Sequence, residues 1–103
     1  NIVNRAIVLN ERETISIMVN EEDHLRIQCF CSGLELEQAW KEANRLDDLL
    51  EQQLHFSFHE SKGFLTSCPT NVGTGMRASV MVHLPALVMT KQLGMVFNNV
   101  TKF

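Results

Sequence analysis

The chain has 103 residues, a formal net charge of -3, 45% hydrophobic and 20% charged side chains. That balance suits one ordinary globular domain and lacks the basic face that sequence-independent nucleic-acid binding needs, so no direct nucleic-acid partner is expected. No apolar run approaches the roughly 20 residues that span a bilayer, so no membrane role is expected either.

The opening residues, "NIVNRAIVLN", lack the charged-then-apolar plan of a signal peptide and read as the interior of a longer protein. "RAIVLN" and "ETISIMVN" are β-branched apolar runs separated by "ERE", which predicts a hairpin around Glu11 to Glu13. In "HLRIQCFC", Leu25, Ile27 and Cys29 alternate with Arg26 and Gln28, the period-two signature of a strand. Leu34, Ala39, Ala43, Leu46, Leu49, Leu50 and Leu54 then recur at three- and four-residue spacings. They predict an amphipathic helix from about Glu35 to Leu54, with Trp40 beside the stripe as core filling. "FSF" and "GFLTSC" predict two further strands joined at "HESKG", and "RASVMVHLP" another, ending at Pro85, a residue suited to the first turn of a helix. Leu87, Val88, Lys91, Gln92, Met95, Val96, Asn99 and Val100 suggest one last helix. The fold class is α+β, an antiparallel β-sheet flanked by helices, in one continuous unit without repeat or linker.

Cys29, Cys31 and Cys68 form an odd set without disulfide-framework spacing, so a reducing, cytoplasmic compartment is expected. "CFC" lacks the second ligand pair of a structural zinc site. His24, His55, His59 and His83 are individually uninformative. His55 and His59 are four apart, but the Phe56–Phe58 alternation reads as strand and would not stack them.

Two runs carry chemistry. "NEEDHLRI" from Asn20 crowds three carboxylates, a His and an Arg into a few residues. Taken as the entry to a strand, it sets Asn20, Glu22, His24 and Arg26 along one open face. Glu22 and Arg26 then lie about 13 Å apart, too far to pair but suited to the two ends of a substrate. The plainer reading is a solvated, charged edge with Glu21 and Asp23 as turn or edge residues. "CPTNVGTGMRASV" from Cys68 is the second run. Gly73 and Gly75 allow positive φ and close backbone approach, so amide N–H groups could face an anion. Arg77 follows, with a planar fork that grips phosphate oxygens in pairs. A Gly-Thr-Gly turn is by itself weak evidence, and a plain hairpin connection accounts for it equally. Cys68 is a buried small hydrophobe on the plain reading; near Arg77 and an anion loop it gains partial thiolate character. No His is arranged as its evident base.

Taken together, "VNEEDHLRI" and "GFLTSCPTNVGTGMRASV", followed by "HLP", resemble the catalytic domain of the phosphagen kinases, the ATP:guanido phosphotransferases that include arginine and creatine kinase. The resemblance covers essentially the whole chain. It implies reversible transfer of the ATP γ-phosphoryl to a guanidino nitrogen, with ATP as substrate and Mg2+ as its cofactor. By that resemblance Glu22 is the carboxylate that orients the guanidinium, and Cys68 the reactive cysteine beside it. Arg26 and Arg77 belong to the arginine cluster on the nucleotide phosphates, with His24, Asn71, Gly73, Gly75 and Ser79 as further nucleotide contacts. Glu21 and Asp23 match acidic neighbours of the Mg2+ region, Glu21 as an indirect Mg2+ group.

The departures point within the family. Met18 stands where creatine and arginine kinases have Trp, and Met81 where they have a His expected near the adenine. Both resemble the bacterial branch that phosphorylates arginine side chains in proteins, which implies an arginine-containing protein as partner. A small-guanidine kinase and a non-catalytic fragment that binds nucleotide or arginine remain the alternatives, and a homodimer stays open. By family standards residues 1–103 are part of the C-terminal catalytic domain. The helical N-terminal domain, upstream phosphate-binding arginines and the loop with a second substrate carboxylate lie outside them.

Overall fold

The structure is a computed structural model that describes residues 3–101. Strands β1 (Ala6–Leu9), β2 (Ile15–Val19) and β3 (Leu25–Cys29) form an antiparallel sheet in the order β1-β2-β3. Helix α1 (Leu36–Glu51) follows, then the short strands β4 (Phe58–His59) and β5 (Gly63–Phe64), a 3-10 turn at Pro69–Asn71, and helices α2 (Pro85–Met89) and α3 (Leu93–Val100). The class is α+β, as the sequence predicts.

The first hairpin turns where the charged "ERE" interrupts the apolar runs. Asn10 closes it: its side-chain carbonyl accepts from the Ile15 N–H at 2.9 Å, and its amide donates to Thr14 Oγ1 at 2.9 Å. Glu13 takes a positive φ of 53° at the tip. Register then pairs Ile7 with Met18, Ile17 with Ile27 and Ile15 with Cys29, so Ile15, Ile17, Val19, Leu25, Ile27 and Cys29 share one face. Helix α1 packs against β3, with Ala39, Ala43, Leu46 and Leu50 half-buried along its inner stripe. Trp40 lies one residue, about 100°, off that stripe and is 48% exposed. It fills no core among the described residues, contrary to expectation.

The later half departs further from the predicted elements. "FSF" and "GFLTSC" shorten to two-residue strands paired Phe58 to Phe64 and His59 to Gly63. Residues 75–84 form no helix or strand, although "RASVMVHLP", from Arg77 to Pro85, is predicted as a strand. They meet no partner ladder among the described residues, and an unpaired strand has nowhere to place its backbone hydrogen bonds. The single predicted last helix is two. Pro85 opens α2 as expected, but Lys91 sits at φ 57°. Gln92 N–H donates to the Leu87 carbonyl at 3.0 Å and Lys91 N–H to the Val88 carbonyl at 3.2 Å, a Schellman cap that stops the helix.

No apolar side chain among the described residues is buried; Ser16, in the central strand, is the one buried residue. The Cα radius of gyration is 17.2 Å, against roughly 13 Å for a compact domain of 100 residues.

Candidate functional site

The first run is a loop rather than the entry to a strand. Val19 pairs with Leu25, leaving Asn20 to His24 as the β2–β3 connection. Asn20 N–H donates to the His24 carbonyl at 2.9 Å. Asn20 holds φ at 55°, a left-handed conformation that Asn tolerates better than most side chains. Its side-chain amide donates to the Asn4 carbonyl at 2.8 Å. The expected alternation of Asn20, Glu22, His24 and Arg26 on one strand face is therefore wrong, and with it the 13 Å spacing. A hairpin turn with a left-handed residue breaks the period-two count.

Within this loop Glu22 and His24 are exposed, and the Glu22 side chain makes no hydrogen bond or ion pair among the described residues. Arg26, the second residue of β3, reaches back to Glu21, Nη1 to Oε2 at 3.7 Å, with both side chains substantially exposed. An exposed pair of that kind contributes about 0–1 kcal/mol, so a phosphate could replace Glu21 at little cost. Asp23 is half-buried. Its Oδ1 accepts from the Ser67 backbone N–H at 2.6 Å across 44 residues of chain.

That bond carries the first run to the second. Ser67 precedes Cys68, whose loop is fixed by its own hydrogen bonds. Thr66 Oγ1 donates to the Cys68 carbonyl at 2.7 Å, Asn71 N–H donates to the same carbonyl at 3.0 Å, and Cys68 Sγ lies 2.8 Å from Thr70 Oγ1. Cys68 is a half-buried free thiol. Gly73 and Gly75 take φ of 120° and 61°, the positive values their sequence suggests. Gly73 N–H, however, donates to the Phe64 carbonyl at 3.1 Å, and Phe64 N–H donates back to Gly73 at 2.8 Å. Gly73 thus closes a bridge, and its N–H is not turned toward an anion. Opposite it, Gly63 has φ 79°, and a Cβ there would run into the Gly73 carbonyl oxygen. Arg77 and Ser79 stand exposed on the unpaired stretch, without a side-chain hydrogen bond or ion pair among the described residues.

The structure therefore joins the two loops through Asp23 and Ser67, the sequence neighbours of Glu22 and Cys68. Sequence reasoning missed this junction: residues 44 apart share no periodicity, and a backbone N–H leaves no signal in a sequence. Two concavities are lined by neither Asp23 nor Cys68. One of about 530 Å³ is lined by Arg12, Cys29, Cys31 and Glu42, the other of about 340 Å³ by Arg5, Met18 and Glu21. Burial first, then the Glu42 carboxylate and Cys31, push the Cys29 thiol up, against an opposing pull from Arg45. Cys29 is accordingly a poor nucleophile at neutral pH. Among the described residues no three His, Cys, Asp or Glu side chains gather to hold a metal ion. With Glu21 turned to Arg26, the acidic run does not fit a resident divalent ion. No helix among the described residues is long and apolar enough to cross a membrane.

The family description "ATP:guanido phosphotransferase, C-terminal catalytic domain" matches residues 1–103, and the chain belongs to that family. Within it, the chain is 61% identical over 98 residues to a protein-arginine kinase of Symbiobacterium thermophilum and 62% identical over 98 residues to one of Pelotomaculum thermopropionicum. Each match covers 95% of this chain and 28% of the relative. A protein-arginine kinase of a Geobacillus species is 64% identical over 88 residues, 85% of this chain and 24% of that protein. The chain thus spans about a quarter of the length of the curated relatives it matches.

Proposed function

We propose that these residues form the guanidino- and phosphate-facing part of an ATP-dependent protein-arginine kinase and act within a chain of the relatives' length. One observation carries the reading. The Asp23–Ser67 hydrogen bond joins the Glu22 run to the Cys68 run in a chain that matches the family from end to end. Two further facts support the larger chain: the relatives are more than three times as long, and no apolar side chain among the described residues is buried. A self-sufficient domain of this size buries most of its apolar surface.

In this reading Glu22 faces the acceptor guanidinium. That group is protonated at neutral pH, and its nitrogen attacks only when aligned and relieved of a proton. The Glu22 carboxylate orients the nitrogen and accepts the proton as the N–P bond forms and the bond from the γ-phosphorus to ADP breaks. Arg26, released from Glu21, and Arg77 place positive charge on the equatorial phosphate oxygens. The Cys68 thiol lies beside the guanidino group. His24, Asn71, Gly75 and Ser79 are nucleotide contacts, and Gly73 contributes through its turn. Mg2+ belongs with the substrate on the ATP phosphates, with Glu21 at most an indirect neighbour. A cytoplasmic setting accords with three free cysteines, and a homodimer is the assembly we propose.

The acceptor is arginine within a protein. Support comes from the names of the relatives and from Met18 and Met81, the latter 99% exposed. The test incubates a protein of the relatives' length carrying these residues with ATP and either an arginine-bearing protein or free arginine. Acid-labile phosphoarginine on the protein, at the higher kcat/KM, is the expected result. A preference for free arginine would replace the reading with a small-guanidine kinase.

A further inference from the structure

We infer that Asp23 is a positioning residue, whose carboxylate sets Cys68 against Glu22 by holding the Ser67 N–H. This rests on the reading that Glu22 and Cys68 flank the guanidinium. It reassigns Asp23 from the acidic surroundings of the metal to a latch between two loops.

The argument begins with connectivity. Among the described residues, the Ser67–Asp23 bond is the one hydrogen bond that joins the β1–β3 sheet and its loops to anything beyond residue 54; no ion pair does so. The loop from Thr66 to Asn71 is fixed internally by three contacts around Cys68, so it moves as a unit. The β2–β3 loop is likewise closed, by Asn20 to His24. Two closed loops joined at a single point take their relative position from that point. Each end of the bond is one residue from the group it would place: Asp23 from Glu22, Ser67 from Cys68.

The chemistry suits a permanent latch. A carboxylate accepting from a backbone N–H at 2.6 Å is a short, charge-assisted bond, stronger than a neutral one. A backbone donor survives any change of side chain at Ser67. A carboxylate committed to an amide also has less of its charge to offer a cation. The charge strengthens the bond, but placing the loop requires only an acceptor oxygen, which a carboxamide also supplies; a metal-directed role requires the charge itself.

The test uses a protein of the relatives' length with Asp23→Ala and Asp23→Asn. Asp23→Ala should lower kcat by about 10- to 100-fold, the scale of a misplacement near 1 Å, with the KM for ATP changed less than about 3-fold, since no phosphate contact is removed. Asp23→Asn, which keeps an oxygen at that place, should recover most of the rate. Hydrogen exchange at the Ser67 amide should be slow in the parent and in Asp23→Asn, and fast in Asp23→Ala. Full activity in Asp23→Ala overturns the inference. So does an Asp23→Asn protein as impaired as Asp23→Ala, because charge would then be the requirement. A Ser67 amide unprotected in the parent also overturns it, and needs no variant to fold. The proposed function fails separately: if Glu22→Gln keeps the parental rate while Ser67 protection follows Asp23, the latch exists but the site around it is misassigned.

Discussion

Residues 6–51 and residues 52–101 of this chain obey different rules. The first stretch is a sheet in which every strand pairs with its neighbour in sequence, closed by a helix that packs back onto β3. The second holds two strands of two residues each, a ten-residue stretch without regular structure and two short helices. Yet the second is comparably rich in apolar residues, and Val80, Met81, Val82, Val88, Met89, Met95 and Phe97 are all exposed. The difference lies in the reach of the contacts. Where partners adjoin in sequence, local contacts complete the element; where they do not, strong β-formers stay unpaired.

The largest test of this contrast is activity. The 103-residue chain alone should show no measurable phosphoryl transfer, while a protein of the relatives' length carrying it turns over. Catalytic groups that act as a unit fail together when part of the unit is missing. Robust turnover by the short chain would mean that residues 52–101 need no partners.

Next in size is Glu22→Gln in the longer protein, which keeps shape but removes the charge proposed to face the guanidinium. The expected loss is about 10²–10³ in kcat with ATP affinity nearly unchanged, the scale for one preorganised electrostatic contact. Arg77→Ala, on the unpaired stretch, should raise the KM for ATP as well. A Glu22→Gln enzyme at parental rate would break the assignment of the first region as the acceptor side.

How much of this was legible in the sequence follows the same division. The hairpin about Glu11 to Glu13, the strand from Leu25 and the helix near 35–54 could be read because their periodicity answers to neighbours within a few residues. "RASVMVHLP" reads equally well as a strand, but a strand is a relation between two segments, and the second is missing among the described residues. Asn20 misled for a local reason: its left-handed backbone turns a continuous charged strand into a loop. Lys91 did the same to the last helix, since a Schellman cap built on Lys rather than Gly leaves little trace. The proposed site residues stand in two motifs, and the meeting of those motifs through a backbone N–H left no signal in the sequence.

A smaller effect is expected at Gly63. Gly63→Ala puts a Cβ against the Gly73 carbonyl oxygen at a φ of 79°, at a cost of about 1–3 kcal/mol. Amides of Phe64 and Gly73 should lose protection from hydrogen exchange while those of β2 and β3 keep theirs. Loss of protection in both sets would show the two regions to be one cooperative unit.

The smallest effect lies in the better-ordered region. Asp47, on the half-buried side of α1, has its carboxyl held above the usual carboxylate range, first by burial and then by Glu51 and Asp48. A carboxyl whose pKa is raised on folding binds its proton more tightly in the native state, so ionising it opposes folding. Below the unfolded value of 3.8 both states are protonated and the site imposes no penalty. As pH rises through the folded value that favourable balance is lost, and at neutral pH the charge is a standing cost to the α1–β3 contact. Asp47→Asn removes the charge, so it should stabilise the protein at pH 7 and lose that advantage below about pH 4. Relief of the i,i+4 repulsion with Glu51 alone is worth about 0.2–0.5 kcal/mol. The check is urea unfolding of parent and variant at the two pH values, following the sheet and α1. An Asn variant less stable than the parent at pH 7 would mean that the carboxylate holds a favourable partner, and the contrast between the two regions would lose its sharpest electrostatic mark.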